Sequence, residues 1–140
     1  MRYLDTSLLV AALTREAASG RVQNWLVAQP PATVAISTWV VTEFSAALSL
    51  KVRTGDIDAL YRARALAAFA RYCDETFSVL AVPQVSFQTA AHFADRNDLA
   101  LRAGDALHLA ICAEYGVELC TLDRRLAKAG PSVGVPTLSV

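Results

Sequence analysis

Apolar residues recur along this chain with two periods, about two and about 3.6, and the switches between them divide it into alternating strands and helices. Arg2 to Asp5 predicts a short strand, Ser7 to Leu13 a first helix, and Arg15 to Ala28 a second with Val22, Trp25 and Leu26 on one side, stopped by Pro30-Pro31. Val34 to Ile36 predicts a strand running into Ser37-Thr38, a cap pair for a helix from Trp39 to Lys51. Thr54-Gly55-Asp56 ends that helix and caps the next, which Ile57, Leu60, Ala67 and Phe69 carry to about Tyr72, so the two form a hairpin. Phe77 to Val82 predicts a third strand closed by Pro83. Phe87, Ala91 and Ala94 mark a helix from about Ser86, and Ala106, Leu109 and Ala110 another from Gly104 to Tyr115, ended by Gly116. Val117 to Leu122 is the fourth strand, Arg124 to Ala129 a short helix, and Val133 to Leu138 an edge strand. This alternation predicts an α/β fold: a central parallel sheet of about four to five short strands with helices on both faces.

Composition narrows the class. At 140 residues the chain is expected to be one domain, 1–140, and with 54% hydrophobic and 19% charged residues it is expected to be compact. The segment Ala32 to Leu50 has the length of a membrane span, but Ser37, Thr38, Thr42, Glu43, Ser45 and Ser49 interrupt it, so no membrane association is expected. Asp5 interrupts the N-terminal apolar run, so no export signal is expected and the protein is placed in the cytoplasm. Cys73, Cys112 and Cys120 are odd in number and lie in or beside apolar segments, as reduced core thiols do. Thirteen basic and thirteen acidic residues cancel, leaving no global electrostatic footprint for nucleic acid.

Four acids stand apart by location. Asp5 and Asp123 follow predicted strands, where the ligand crevice of a parallel sheet lies, and Glu43 and Asp105 fall in the first turns of nearly uncharged helices that open beside it. Each alone is equally well explained as a cap or salt bridge; four together imply a cation, because stripping water from carboxylates costs several kcal/mol each, roughly, without a partner. Carboxylate oxygens suit Mg²⁺ or Mn²⁺ rather than zinc. One or two such ions activate water for in-line attack on a phosphodiester and stabilise the leaving oxygen. Thr6, Ser7 and Thr121 can orient the acids through their hydroxyls, and can equally be caps. Crowding and partial burial are expected to raise the carboxyl pKa values, so that the metal-free protein is destabilised at neutral pH.

The segments Tyr3-Leu4-Asp5-Thr6-Ser7-Leu8-Leu9-Val10, Ser37-Thr38-Trp39-Val40-Val41-Thr42-Glu43, Asp105-Ala106-Leu107-His108-Leu109-Ala110 and Thr121-Leu122-Asp123 resemble, in order and along the whole chain, the PIN-domain ribonucleases, specifically the VapC-type toxins of toxin-antitoxin pairs. The resemblance implies a PIN-like fold, Mg²⁺- or Mn²⁺-dependent endoribonuclease activity on RNA, a homodimer and inhibition by a cognate VapB-type antitoxin. It assigns metal-binding and catalytic roles to Asp5, Glu43, Asp105 and Asp123, with Thr121 in support.

Around these, Arg102, Arg124 and Ser7 are candidates for substrate phosphate, against the alternative that the two arginines are solvated helix charges. His108, one turn from Asp105, reads as a satisfied residue behind the acids rather than a general base, and His92 as surface. Two other functions compete with the nuclease: a catalytically silent PIN-like binding module, and a receiver-like phosphoacceptor domain. The receiver would need paired acids after its first strand and a lysine ending a late strand, whereas Lys128 falls on a helix.

Overall fold

The computed structural model describes every residue, Met1–Val140. Five strands, β1 (Arg2–Leu4), β2 (Val34–Ser37), β3 (Ser78–Leu80), β4 (Glu118–Thr121) and β5 (Thr137–Ser139), form one sheet in the order β3-β2-β1-β4-β5, and every pairing is parallel. Seven helices connect them: α1 (Thr6–Leu13), α2 (Ser19–Val27), α3 (Thr38–Arg53), α4 (Ala59–Glu75), α5 (Gln84–Ala94), α6 (Ala103–Tyr115) and α7 (Arg124–Ala129). Right-handed crossovers place α1 to α4 over one face and α5 to α7 over the other. Packing of α1 on α2, α3 and α4, and of α5 on α6, follows that division. A receiver runs its strands in the order 2-1-3-4-5, which this sheet does not have.

Two helices are central. Leu8 to Ala12 of α1 are all buried, as are Ala106 to Cys112 of α6, so both are covered on every side rather than along one stripe. Gly116 ends α6 in the left-handed region at φ 63°, a conformation that costs glycine little. Leu4, Ile36, Val40, Phe44, Leu48, Leu109 and Leu119 complete the core between them. Cys112 and Cys120 are buried there as free thiols, and Cys73 is half-buried and also free.

Several boundaries differ from the sequence pattern for local reasons. The helix expected from Arg15 begins at Ser19, because the Ser19 hydroxyl donates to the Thr14 carbonyl and accepts the Glu16 N–H, closing a turn first. Asp58, not Asp56, caps α4, with its Oδ1 accepting from the Tyr61 N–H at 2.7 Å. The expected edge strand from Val133 shortens to Thr137–Ser139 because Gly130–Val133 turns as a 3₁₀ helix. In α5 the residues turned inward are Ser86 and Ala90, small enough to seat the helix closely on α6, while Phe87 is 54% exposed and Ala91 and Ala94 also face solvent.

Candidate metal site at the carboxyl ends of β1 and β4

The chain leaves β1 toward β2 and β3 on one side and returns to β4 and β5 on the other, so β1 and β4 flank the switch point where such sheets bind ligands. Asp5 follows β1 directly and caps α1; its Oδ1 accepts from the Ser7 hydroxyl at 2.6 Å and the Leu8 N–H at 3.3 Å, and its Oδ2 accepts from the Thr121 hydroxyl. The same two hydroxyls receive backbone N–H groups from the β4 loop, Leu122 to Ser7 at 3.1 Å and Asp123 to Thr121 at 2.9 Å. Ser7 and Thr121 therefore lock the two strand ends to one another around Asp5. Asp5 is only 4% exposed, and none of the ion pairs includes it.

Glu43 lies in the second turn of α3, not the first as its sequence position suggested, on the side that carries buried Val40 and Phe44. Its Oε2 accepts from the Thr6 hydroxyl and faces His108 Nε2 at 2.7 Å. The other oxygen has its space because residue 104 is glycine: a Cβ there would stand 2.9 Å from Glu43 Oε1. Behind His108, its Nδ1 lies 2.9 Å from Tyr3 Oη, which lies 2.7 Å from Ser37 Oγ. Asp105, in the first turn of α6, accepts the Arg102 N–H at 3.3 Å. Arg125 Nη2 stands 3.8 Å from Asp105 and 3.5 Å from Asp123, and so bridges them.

The acids do not share one electrostatic condition, which corrects the expectation that crowding raises them together. Burial pushes Asp5 up, against nearby His108 and its own hydroxyl and N–H donors. Burial also acts on Glu43, but His108 and the Thr6 hydroxyl, both hydrogen-bonded to its Oε2, outweigh it and hold the carboxyl below its usual value. Asp123 feels burial least; N–H donors at Leu126 and Arg125 and the Arg125 charge hold it low.

Two sets of contacts lie side by side: Asp5 reaches the Asp123 backbone through Thr121 and Arg125 joins the Asp123 and Asp105 carboxylates, while Glu43 is held by Thr6, the residue next to Asp5 in the chain. No three histidine, cysteine or acidic side chains converge as a ready-made metal cage. The donor set nonetheless fits a hard divalent cation, since it is all carboxylate oxygen and includes one buried acid that forms no ion pair. Arg124 and the Arg102 side chain are exposed and form no ion pair, and the Ser7 hydroxyl has given its proton to Asp5, leaving none for a phosphate oxygen. Sequence reasoning weighed Arg125 only as one of several basic residues flanking the two C-terminal acids, set it below Arg102 and Arg124, and passed over Tyr3. A signal existed for Tyr3, because strand alternation puts residues 3 and 5 on the same side. A larger cavity, about 630 Å³ and lined by Leu26, Pro30, Val34 and Thr76, opens at the amino ends of the strands and is remote from the acids.

Comparison with known proteins places this geometry. The PIN domain family model matches residues 2–130. No curated protein sequence matches. Among solved structures, the chain is similar to VapC20 of Mycobacterium tuberculosis, described as a sarcin-ricin loop cleaving toxin, with a TM-score of 0.74, 22% identity and coverage of 93% of this chain and 95% of that one. It is similar to FitAcB of Neisseria gonorrhoeae, with a TM-score of 0.72, 16% identity and 99% and 97% coverage. A toxin-antitoxin complex from Klebsiella pneumoniae gives a TM-score of 0.67 at 20% identity, covering 99% of this chain and 97% of that one. At these identities the likeness is one of fold.

Proposed function

The chain belongs to the PIN-domain family, and on that premise we propose that it is a Mg²⁺- or Mn²⁺-dependent endoribonuclease, the toxin of a toxin-antitoxin pair, acting as a single domain over residues 1–140. The observation that carries this reading is Asp5: a buried carboxylate without an ion-pair partner at the switch point, tied through the Thr121 hydroxyl to the loop that carries Asp123. Asp5, Glu43, Asp105 and Asp123 would hold the cation, which, when bound, supplies positive charge against the transferring phosphoryl group and acidifies water. The chain's own residues do the rest. Ser7 and Thr121 hold Asp5 and fix the loop that carries Asp123; Thr6 and His108 occupy Glu43 Oε2 and leave Oε1 free; Arg125 supplies the counter-charge of Asp105 and Asp123 and holds the two side by side. Arg102 and Arg124, exposed beside the two C-terminal acids, are placed to receive RNA phosphates.

The test is cleavage of single-stranded and structured RNA by the purified protein. Activity is expected with Mg²⁺ or Mn²⁺, abolished by EDTA and lost in Asp105→Asn; undiminished cleavage in EDTA would refute the reading, and no cleavage with either metal would favour the silent binding module.

Two partners belong to the same proposal. A second copy covers the apolar groove of about 300 Å³ that Trp39, Phe87, Ala91 and Leu107 line beside Gly104, since it leaves Phe87 uncovered in the single chain. A VapB-type antitoxin lies along the α3–α4 hairpin, where the small exposed residues Ala46, Ala63 and Ala67 admit close approach. Sedimentation should show a dimer at micromolar concentration that Phe87→Glu dissociates; a wild-type monomer refutes the first. No helix is long and apolar enough to cross a membrane; a cytoplasmic site of action belongs to the proposal.

A further inference from the structure

Three buried hydroxyl and imidazole groups stand in file behind Glu43, and none of them touches the crevice. Ser37 Oγ lies 2.7 Å from Tyr3 Oη, Tyr3 Oη 2.9 Å from His108 Nδ1, and His108 Nε2 2.7 Å from Glu43 Oε2. Tyr3, Ser37 and His108 are all buried, so each proton must find an acceptor within the file. The count has one neutral solution. A bare Nε2 would set its lone pair against an ionised carboxylate, so Nε2 carries the proton and Nδ1 accepts. The Tyr3 hydroxyl then donates to Nδ1, and the Ser37 hydroxyl, whose oxygen already accepts the Val40 N–H at 3.4 Å, donates to Tyr3. The reverse order, with both imidazole nitrogens protonated, leaves the Ser37 proton without an acceptor.

We propose that Tyr3 and His108 are positioning residues for Glu43: a one-way relay, Ser37 to Tyr3 to His108 to Glu43, fixes His108 as the Nε2–H tautomer, holds Glu43 Oε2, and so presents Oε1 to the cation. The inference rests on the metal-site reading above. Thr6 adds the second hydrogen bond to Oε2, so rotation of the carboxylate would break two bonds at once. Two features of the sheet make the relay possible: Tyr3 shares a strand face with Asp5, and Ser37 ends the neighbouring strand β2 while capping α3.

Two measurements test it. Nitrogen NMR of the metal-free protein, with His92→Gln to leave His108 as the single histidine, is expected to show Nε2 protonated and Nδ1 bare, with Tyr3→Phe mixing the tautomers. A proton resident on Nδ1 of the wild type would overturn the relay. Calorimetric Mn²⁺ titration is expected to give about tenfold weaker binding in Tyr3→Phe and His108→Leu, and binding within about threefold of wild type in His108→Gln, whose amide N–H replaces Nε2–H. Wild-type Mn²⁺ affinity in folded Tyr3→Phe and His108→Leu, with only a lowered melting temperature, would also overturn it, and Tyr3→Phe carries the test should His108→Leu fail to fold. If the wild type binds no Mn²⁺, the metal-site reading fails on its own, while the tautomer, read without metal, still decides the direction of the relay.

Discussion

Asp5 and Asp123 occupy equivalent places, each following one of the two strands that flank the switch point and each capping the next helix, yet their surroundings are opposite. Asp5 is 4% exposed and forms no ion pair, and burial pushes its pKa up. The Asp123 side chain is 37% exposed, has Arg125 beside it, and is held low. The difference follows from what each capped helix does. Helix α1 lies at the centre of the molecule, buried from Leu8 to Ala12, so its N-terminus is inside; α7 is six residues long and buries only Leu126 and Ala129. One strand-Asp-helix pattern thus yields an acid that lacks a counter-charge and an acid that already has one.

The sharpest way to break this contrast is activity. Asp5→Asn is expected to lower RNA cleavage at least about a hundredfold, because the buried carboxylate has no arginine or lysine beside it to offset its charge, whereas Asp123→Asn is expected to lose about tenfold. Steady-state cleavage rates at saturating Mn²⁺ measure both, and equal losses would mean that burial does not rank the acids.

Much of the arrangement was legible in sequence because its signals are local. Strand ends, the Pro83 and Gly116 stops and the isolation of Asp5, Glu43, Asp105 and Asp123 among apolar residues all depend on neighbours within a turn or two. What was not legible depends on distant partners. Arg124 and Arg125 are adjacent and chemically alike, and only the meeting of α6 with the β4 loop selects Arg125 as the bridge between Asp105 and Asp123. Phe87, Ala91 and Ala94 have helical spacing, yet α5 turns Ser86 and Ala90 inward, because closeness to α6 favoured small residues over a large apolar one. The expectation of four raised carboxyls failed for the same reason: it counted like charges, and could not see that His108 stands beside Glu43 and Arg125 beside Asp123, both of which are held low.

Stability against pH sharpens the comparison at a smaller scale. A group whose folded pKa is raised contributes stability below its unfolded value that is lost as pH rises through the folded value; Asp5 is such a group, with an unfolded reference of 3.8. Metal-free Asp5→Asn should therefore melt higher than wild type at pH 7, by a margin that shrinks to nothing as pH falls toward 3.8. Asp123 carries the opposite sign: its contribution is present above 3.8 and lost as pH falls through its depressed folded value, so Asp123→Asn should melt no higher than wild type at pH 7. Excess Mn²⁺ should stabilise wild type more than Asp5→Asn, since a ligand bound only to the folded form shifts the melting point by mass action. Melting curves from pH 3.5 to pH 7 in EDTA and in Mn²⁺ decide it, and an Asp5→Asn that melts lower at pH 7 without metal would show the carboxylate to be structural.

The smallest expected effect isolates what Asp123 does for the fold from what it does for the site. Its Oδ1 accepts from the Arg125 N–H at 2.8 Å and the Leu126 N–H at 3.2 Å, so it satisfies two of the open donors at the start of α7. Removing such a cap costs about 1 kcal/mol, while asparagine caps about as well as aspartate. Asp123→Ala is therefore expected to be less stable than Asp123→Asn by about that amount in urea titration, with an unchanged slope because the folded surface is the same. Both variants should bind Mn²⁺ more weakly than wild type to a similar degree, because both remove the carboxylate and only one removes the cap. If Asp123→Ala and Asp123→Asn are equally stable, the cap contributes nothing and α7 is held by Leu126 and Ala129 alone. If their Mn²⁺ affinities differ by more than their stabilities do, the cap orients the site, and the loop after β4 depends on α7 for its position as well as on Thr121.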